Sequence, residues 1–340
     1  MELSTGCGSR VSGWRDFGDS GHMNPVLAVV AGQQGGVFSR RQALEAGYTP
    51  EQVQERLKAG RWHRVRHGQY AERVDLSELT PWERELWLHR QLVHAAMNSM
   101  KPGTSVVSHH SALILHGIPV WEVDLSEVQL TRTSGWRSGR SAGVMHHRGP
   151  LGAPDIGSRH GLAVTVIGRA LVESAAAASF EAAVVSADAV LRSGELTDDE
   201  LRRVLVPTEF WAGGPTIRAA LAFADPLAES VGESRLRVLM HDQRLPAPVL
   251  QAGFKDAAGF VGRVDFYFPD HSTVVEFDGL LKYATGSSDV LIREKTREDR
   301  LRALGLEVVR LTWLDLAQPA RTAAAIRRAF DRSRRTHVPA

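Results

Sequence analysis

The sequence has almost no cysteine: Cys7 is the only one in 340 residues, so neither an intrachain disulfide nor a cysteine-based zinc site can form. It has no apolar run of transmembrane length and nothing that resembles a signal peptide, so a cytoplasmic protein with no membrane partner is expected. An excess of one charge is also missing. Lys and Arg number 41 against 39 Asp and Glu, a net charge of +2. That excludes a globally basic nucleic-acid binder and leaves any such contact to a local basic surface. What is present is 43% hydrophobic residues over a length that suits two or three domains, so an α/β multi-domain chain is expected.

The first 22 residues are rich in Gly and Ser and carry no periodicity, so residues 1–27 are expected to be a disordered N-terminus, with Met23 a candidate natural start. Residues 28–78 come next. Here SRRQALEAG predicts a helix with Ser39 as N-cap and Gly47 as its stop, and TPEQVQERLKAG a second helix with Pro50 in its first turn and Gly60 as its end. RWHRV and GQYAE read as two short strands joined at His67 and Gly68. Two helices followed by a basic hairpin outline a winged helix-turn-helix. Positions 37–70 hold seven Lys or Arg and three Glu, a local charge of +4 that exceeds the whole chain's.

Residues 79–212 read as an α/β middle domain. It has a helix from Trp82 to Asn98, a short SHHSALILHG helix, strands VQLTR and GVMHHR, a long Ala-rich helix near 168–192 and a small helix in SGELTDDELRRVL. AGGP at 212–215 reads as a linker. Residues 225–332 then follow the order helix, three strands, helix, strand, helix, with Leu236, Leu239 and Met240 at core spacing on the first helix.

The chemistry-bearing residues lie on the strands of this last part. In GRVDFYF the period of two puts Val264, Phe266 and Phe268 on one face and Arg263, Asp265 and Tyr267 on the other; in TVVEFDG it puts Glu276 with Asp278. Adjacent strands would bring Asp265 near Glu276 and Asp278. Clustered carboxylates need a cation, a proton or an arginine to compensate their repulsion. Mg²⁺, or Mn²⁺, is one solution, with oxygen ligands from Asp265, Glu276 and Asp278. Pairing with Arg263, Arg293 or Arg297 is the other.

On these residues, together with Glu233 in GESRLR and the run EKTREDRLRALGLEVVRLTW, the segment resembles the PD-(D/E)xK nuclease superfamily, in particular proteins similar to very-short-patch repair endonucleases. The resemblance implies a restriction-endonuclease-like α/β domain that cleaves phosphodiester bonds. By it, Asp265, Glu276 and the Phe277 carbonyl hold metal, with Glu233 a further ligand or water orienter. The sequence departs from the pattern where a Lys is expected and Asp278 stands. Lys282 or Lys295 is then the candidate to assist the attacking water.

The front half carries a second resemblance. GVFSRRQALEAGYTPEQVQERLKAGRWHRVRHGQYA looks like the N-terminal domain of AbiEi-type antitoxins of type IV toxin–antitoxin systems, and SHHSALILHGIP with GLAVTVIGRALVES resembles the domain that follows it. It implies operator-like DNA, with Arg61, Arg64 and Arg66 on phosphates, base-edge contacts from the helix that carries Gln52 and Arg56, and Arg40 and Arg41 beside them. It also implies a cognate toxin as partner.

Weaker candidates are a metal cluster among His109, His110, His146, His147 and His160, and Ser108 beside His109 as a hydrolase pair without a G-x-S-x-G elbow. Two functions therefore compete: a DNA-binding protein with an Mg²⁺-dependent endonuclease domain, and a non-catalytic, antitoxin-like transcriptional repressor.

Overall fold

Ser39 and Thr49 start their helices in the same way. Ser39 Oγ accepts from the Gln42 amide while Gln42 Oε1 accepts from the Ser39 amide, and Thr49 with Gln52 repeats the arrangement. Each such box satisfies two amides that a helix N-terminus otherwise leaves unpaired. The helices run Arg40–Glu45 and Pro50–Lys58, and left-handed Gly47 (φ 97°) and Gly60 (φ 68°) follow their ends. The hairpin Trp62–Arg66 and Gln69–Glu72 turns where the sequence predicts.

Two elements add to that expectation. Helix Pro25–Gln33 precedes the pair, and strand Val37–Ser39 joins the hairpin in a three-stranded antiparallel sheet with Gln69–Glu72 in the middle. Both are held by one core: Leu27, Ala31 and Phe38 pack with Ala43, Val53, Trp62 and Tyr70. Phe38 meets Trp62 edge to face at 4.7 Å between centroids. Burying one such side chain contributes roughly 1.5–3 kcal/mol, enough to order short elements that propensity alone would not.

The computed structural model describes residues 23–134, 138–279 and 288–336. Residues 1–22 of the stretch 1–27 expected to be disordered lie outside them; the rest is described, and Pro25, Val26 and Leu27 are helical, with Leu27 buried in the core. The chain divides into two compact units, Met1–Ala177 with Asp198–Ala212, and Ala178–Thr197 with Gly213–Ala340.

In the first unit, helix Pro81–Asn98 follows the small sheet, and a six-stranded mixed sheet carries helices His109–Leu115 and Ile167–Ala175. The Ala-rich stretch is two helices, not one. The second, Phe180–Ser193, restarts at Ser179, whose hydroxyl caps the Ala182 amide, and belongs to the second unit although it falls within 79–212. There Asp188 takes both bonds of a buried pair from Arg237 Nη2, at 2.6 and 2.8 Å. The expected linker is also partly helical, since Gly214–Phe223 forms a helix against Phe180–Ser193.

The second unit keeps the predicted element order. Helix Val231–Asp242 leads into strands Val249–Asp256, Gly259–Phe268 and Thr273–Phe277, all antiparallel, and helix Ser288–Ala303 returns the chain to Glu307–Leu311, which is parallel to Thr273–Phe277. Helix Pro319–Thr336 closes it. One core holds Leu236, Met240, Phe266, Phe268, Val275 and Leu311; another holds Val261, Val274, Leu301 and Val308.

Val264 lies in the second core, not beside Phe266 as strict alternation predicts. Gln251 on the neighbouring strand takes φ 53°, and the change of face falls at that level on both strands, between Leu250 and Ala252 and between Phe266 and Val264. No helix among the described residues is long and apolar enough to cross a membrane.

Candidate nucleic-acid interface and acidic cluster

The seven basic or polar residues expected to meet DNA have divided fates. Arg61 and Arg64 are exposed and make no ion pair among the described residues. Arg41 is exposed and lies 3.6 Å from Glu45 one turn on. Arg40 is half-buried at one end of a shallow groove that also exposes Glu51, Gln54, Glu55 and Lys58. Glu51 is held below the usual carboxylate range by its own backbone amide and then by the Thr49 hydroxyl. The groove is therefore of mixed charge.

The other three are engaged in the fold. Gln52 spends its side-chain oxygen on the Thr49 amide. The Arg56 guanidinium lies over the rings of Tyr48 and Trp62, at 5.0 and 5.3 Å from their centroids. Arg66 donates to the Ala142 carbonyl at 3.1 Å, which ties the hairpin to the larger sheet's edge. Helix periodicity alone could have shown Gln54 and Lys58 as the outward pair, since Val53 and Leu57 face the core.

Among the described residues, the histidines of the first unit form no group of three or more arranged to hold a metal. His109 stacks on His147 with centroids 3.6 Å apart, and its Nδ1 is 3.0 Å from Ser108 Oγ and 3.7 Å from Glu173 Oε2. His147 Nε2 bonds Gln129, and Glu173 is paired with Arg169 at 2.7 Å. Ser108 and Glu173 both face Nδ1 of the same ring, which is not the order of a hydrolase triad, where the nucleophile and the orienting acid occupy opposite nitrogens of the histidine base. Burial lowers the pKa of His109 well below its ordinary value, and that of His110 to about 4. Burial raises Glu173 despite Arg169.

In the second unit the strands do bring the acids together. Phe266 pairs with Val275, so Asp265 stands beside the Glu276–Phe277 peptide, and its Oδ2 accepts from the Phe277 amide at 2.7 Å. Glu276 is cross-strand from Arg310. Glu276 Oε1 accepts from Arg297 Nη2 at 2.6 Å and Oε2 is 3.4 Å from Arg310 Nη2. Asp278 takes Arg310 Nη1 at 3.0 Å on one oxygen and 3.3 Å on the other. Helix Ser288–Ala303 adds Glu294 at 3.3 Å from Arg310 Nη2 and Glu298 at 3.0 Å from Arg310 Nε.

Glu276 and Asp278 are buried. Burial works against the Arg310 cation, but the hydrogen bond to Asp278 and the fields of Glu276 and Asp278 hold its pKa above the ordinary arginine value. Of the three arginines expected to pair with these acids, Arg297 does so, Arg263 pairs instead with Glu229 at 2.5 Å and Arg293 lies on helix Ser288–Ala303; Arg310, which was not among them, takes the main part. Arg310 is legible in sequence: in EVVRL it stands where a parallel neighbour would set it against Glu276.

Glu233 is buried away from these guanidinia. Its oxygens accept from Ser230 Oγ at 2.8 Å, Gln251 Nε2 at 3.0 Å and the Glu229 amide at 2.9 Å. Burial raises its pKa. Lys282 lies outside the described residues, and Lys295 is on helix Ser288–Ala303.

Mg²⁺ and Mn²⁺ take oxygen ligands, and these carboxylates are of the right chemical kind. Their oxygens are nevertheless occupied: both of Glu276 and both of Asp278 by guanidinium, one of Asp265 by a backbone amide. No group of three or more His, Cys, Asp or Glu among the described residues is arranged to hold a metal. As they stand, the residues do not fit the expected cation.

Residues 26–73 match the family model described as transcriptional regulator, AbiEi antitoxin. Two uncharacterized proteins of Mycobacterium tuberculosis, from strains CDC 1551 / Oshkosh and H37Rv, are each 35% identical to the chain over 153 residues. The alignment covers 45% of this chain and 56% of each relative, so the chain spans little more than half the length of the curated relatives it matches.

Proposed function

We propose that this chain is a DNA-binding transcriptional regulator of the AbiEi antitoxin type, acting in the cytoplasm on an operator of its own system and in company with a cognate toxin. The observation that carries the reading is the match of residues 26–73, which falls on the helix-turn-helix and its basic hairpin. In this reading residues 28–78 are a winged helix, with Arg61 and Arg64 on phosphates and the groove of Arg40, Gln54 and Lys58 toward the bases. Residues 79–177 with 198–212 are the antitoxin's following domain and 225–332 a nuclease-like domain. Fluorescence anisotropy with the protein's own promoter tests it: tight, salt-sensitive binding is expected, and equal weak binding to promoter and random DNA would sink the operator assignment.

A second reading, an Mg²⁺- or Mn²⁺-dependent endonuclease, has one observation in its favour, the adjacency of Asp265 and Glu276 on neighbouring strands. It requires Arg297 and Arg310 to give up Glu276. In it, Asp265, Glu276 and Asp278 bind metal while Glu233 and Lys282 assist. Plasmid, single-stranded and mismatched DNA incubated with either metal, wild type beside Asp265→Ala, separates the two readings. Cutting that vanishes in the variant supports the nuclease; intact DNA in every lane leaves the regulator alone.

A further inference from the structure

We propose that Arg310 is the resident cation of the second unit's acidic cluster, an internal guanidinium in the place a divalent metal would take. Four carboxylates converge on it from three directions. Glu276 comes from the adjacent parallel strand, Asp278 from just beyond that strand's end, and Glu294 and Glu298 from one face of helix Ser288–Ala303. All three guanidinium nitrogens are used: Nη1 by Asp278, Nη2 by Glu276 and Glu294, Nε by Glu298.

Arg297 adds a second positive charge. It reaches Glu276 at 2.6 Å, lies 3.6 Å from Glu294 and donates to the Arg263 carbonyl at 2.6 Å. Arg302 adds a bond to Glu298 at 2.8 Å. Four acids therefore face three guanidinia, and the planar forks supply the directional donors that carboxylates accept best.

A hydrated Mg²⁺ needs several oxygens in a near-octahedral shell and would have to expel a guanidinium that is already anchored by strand register. Expelling it means burying an unpaired arginine or moving the strand. Both are unfavourable. The same geometry says what Arg310 suppresses. Without it, Glu276, Asp278, Glu294 and Glu298 would face one another across a space of guanidinium size, and mutual repulsion would favour capture of a divalent ion.

The inference is independent of DNA binding by the wing, and its test uses the full chain without DNA. Thermal unfolding and calorimetric Mn²⁺ titration are run on wild type, Arg310→Met, Glu276→Gln and the double variant. Wild type should melt at the same temperature in EDTA and in millimolar Mn²⁺ and take up no ion at this cluster. Arg310→Met should melt roughly 10 °C lower in EDTA. It should recover part of that loss with Mn²⁺ and bind the ion, and the double variant should lose the recovery. Stoichiometric Mn²⁺ binding by wild type that disappears in Glu276→Gln would overturn the proposal, as would a folded Arg310→Met indifferent to the ion. Should Arg310→Met not fold, the wild-type and Glu276→Gln titrations decide it.

Discussion

Glu276 and Arg310 face each other across a parallel strand pair, and the Glu276 carboxylate is shared between Arg310 and Arg297 while only 6% of the residue is exposed. Removing Glu276 takes a buried acceptor from both Arg297 and Arg310; breaking a buried pair typically costs 3–5 kcal/mol, and about 3 kcal/mol here because Asp278, Glu294 and Glu298 still hold Arg310. Glu276→Gln should therefore be destabilised by about that amount in urea unfolding. Glu229→Gln, which breaks an exposed pair with Arg263, should cost under about 1 kcal/mol. Equal effects of the two substitutions would show that the cluster contributes no more than a surface pair.

In the proposed reading the exposed Arg61 and Arg64 are the residues that meet phosphates. Replacing each by Ala should weaken DNA binding on promoter and random sequence alike, and should lower the slope of log K against log salt by about 0.9 for each phosphate no longer neutralised. Arg56→Ala should leave that slope unchanged and instead cost roughly 1 kcal/mol of stability, since its guanidinium covers Tyr48 and Trp62. A larger drop in salt dependence in Arg56→Ala than in Arg64→Ala would reverse these roles.

The difference between Arg56 and Arg64 shows how far the sequence can be read. Caps and stops are local, so Ser39, Thr49, Gly47 and Gly60 announce the two helices before any packing is known. The adjacency of Asp265 and Glu276 follows from strand periodicity, because one strand's neighbours are set by a period of two. What a cation's long side chain does is not local. Arg56 and Arg66 look the same in sequence as Arg61 and Arg64, yet one covers an aromatic core and the other reaches a carbonyl 76 residues away. Strict alternation misplaces Val264 for a related reason, since the φ of 53° at Gln251 lies on a different strand from the residues it displaces. Helix Pro25–Gln33 escapes a periodicity reading because it has no polar face to give a period, being ordered instead by Leu27 and Ala31 in the core.

The first unit should lose stability as the solution is acidified from neutrality. Burial, with the neighbouring His160, lowers His94 to about 4, and burial, with His89, lowers His110 to about 4, from an ordinary value of 6.5. A depressed folded value means that the unfolded chain binds more protons between those limits, so the stabilisation is complete above about pH 6.5 and is lost as pH falls toward 4. Each of these two histidines can account for up to about 3 kcal/mol. Burial-raised Glu173 acts in the opposite sense. Urea unfolding at neutral pH and near pH 5 should show a fall that His110→Gln reduces; a profile that is flat over this range would contradict it.

Gly232 holds the second unit's leading helix against the acidic strand. A Cβ at this position would overlap the Phe277 ring, and Phe277 is the residue whose amide donates to Asp265 and whose ring packs edge-on to Trp313 at 5.3 Å. The ring cannot retreat freely, because it lies in a core with Leu236, Val275 and Leu311. Overpacking of this kind usually costs about 1–3 kcal/mol. Gly232→Ala should be destabilised by that much, and because the displaced residue carries the amide that Asp265 accepts from, the strain should reach the acids as well. The separating measurement is the double variant with Phe277→Leu, whose smaller side chain gives the methyl room: stability should recover in part relative to Gly232→Ala alone. Purely additive losses would mean that the helix shifts as a body and that Gly232 does not set its distance from the strand.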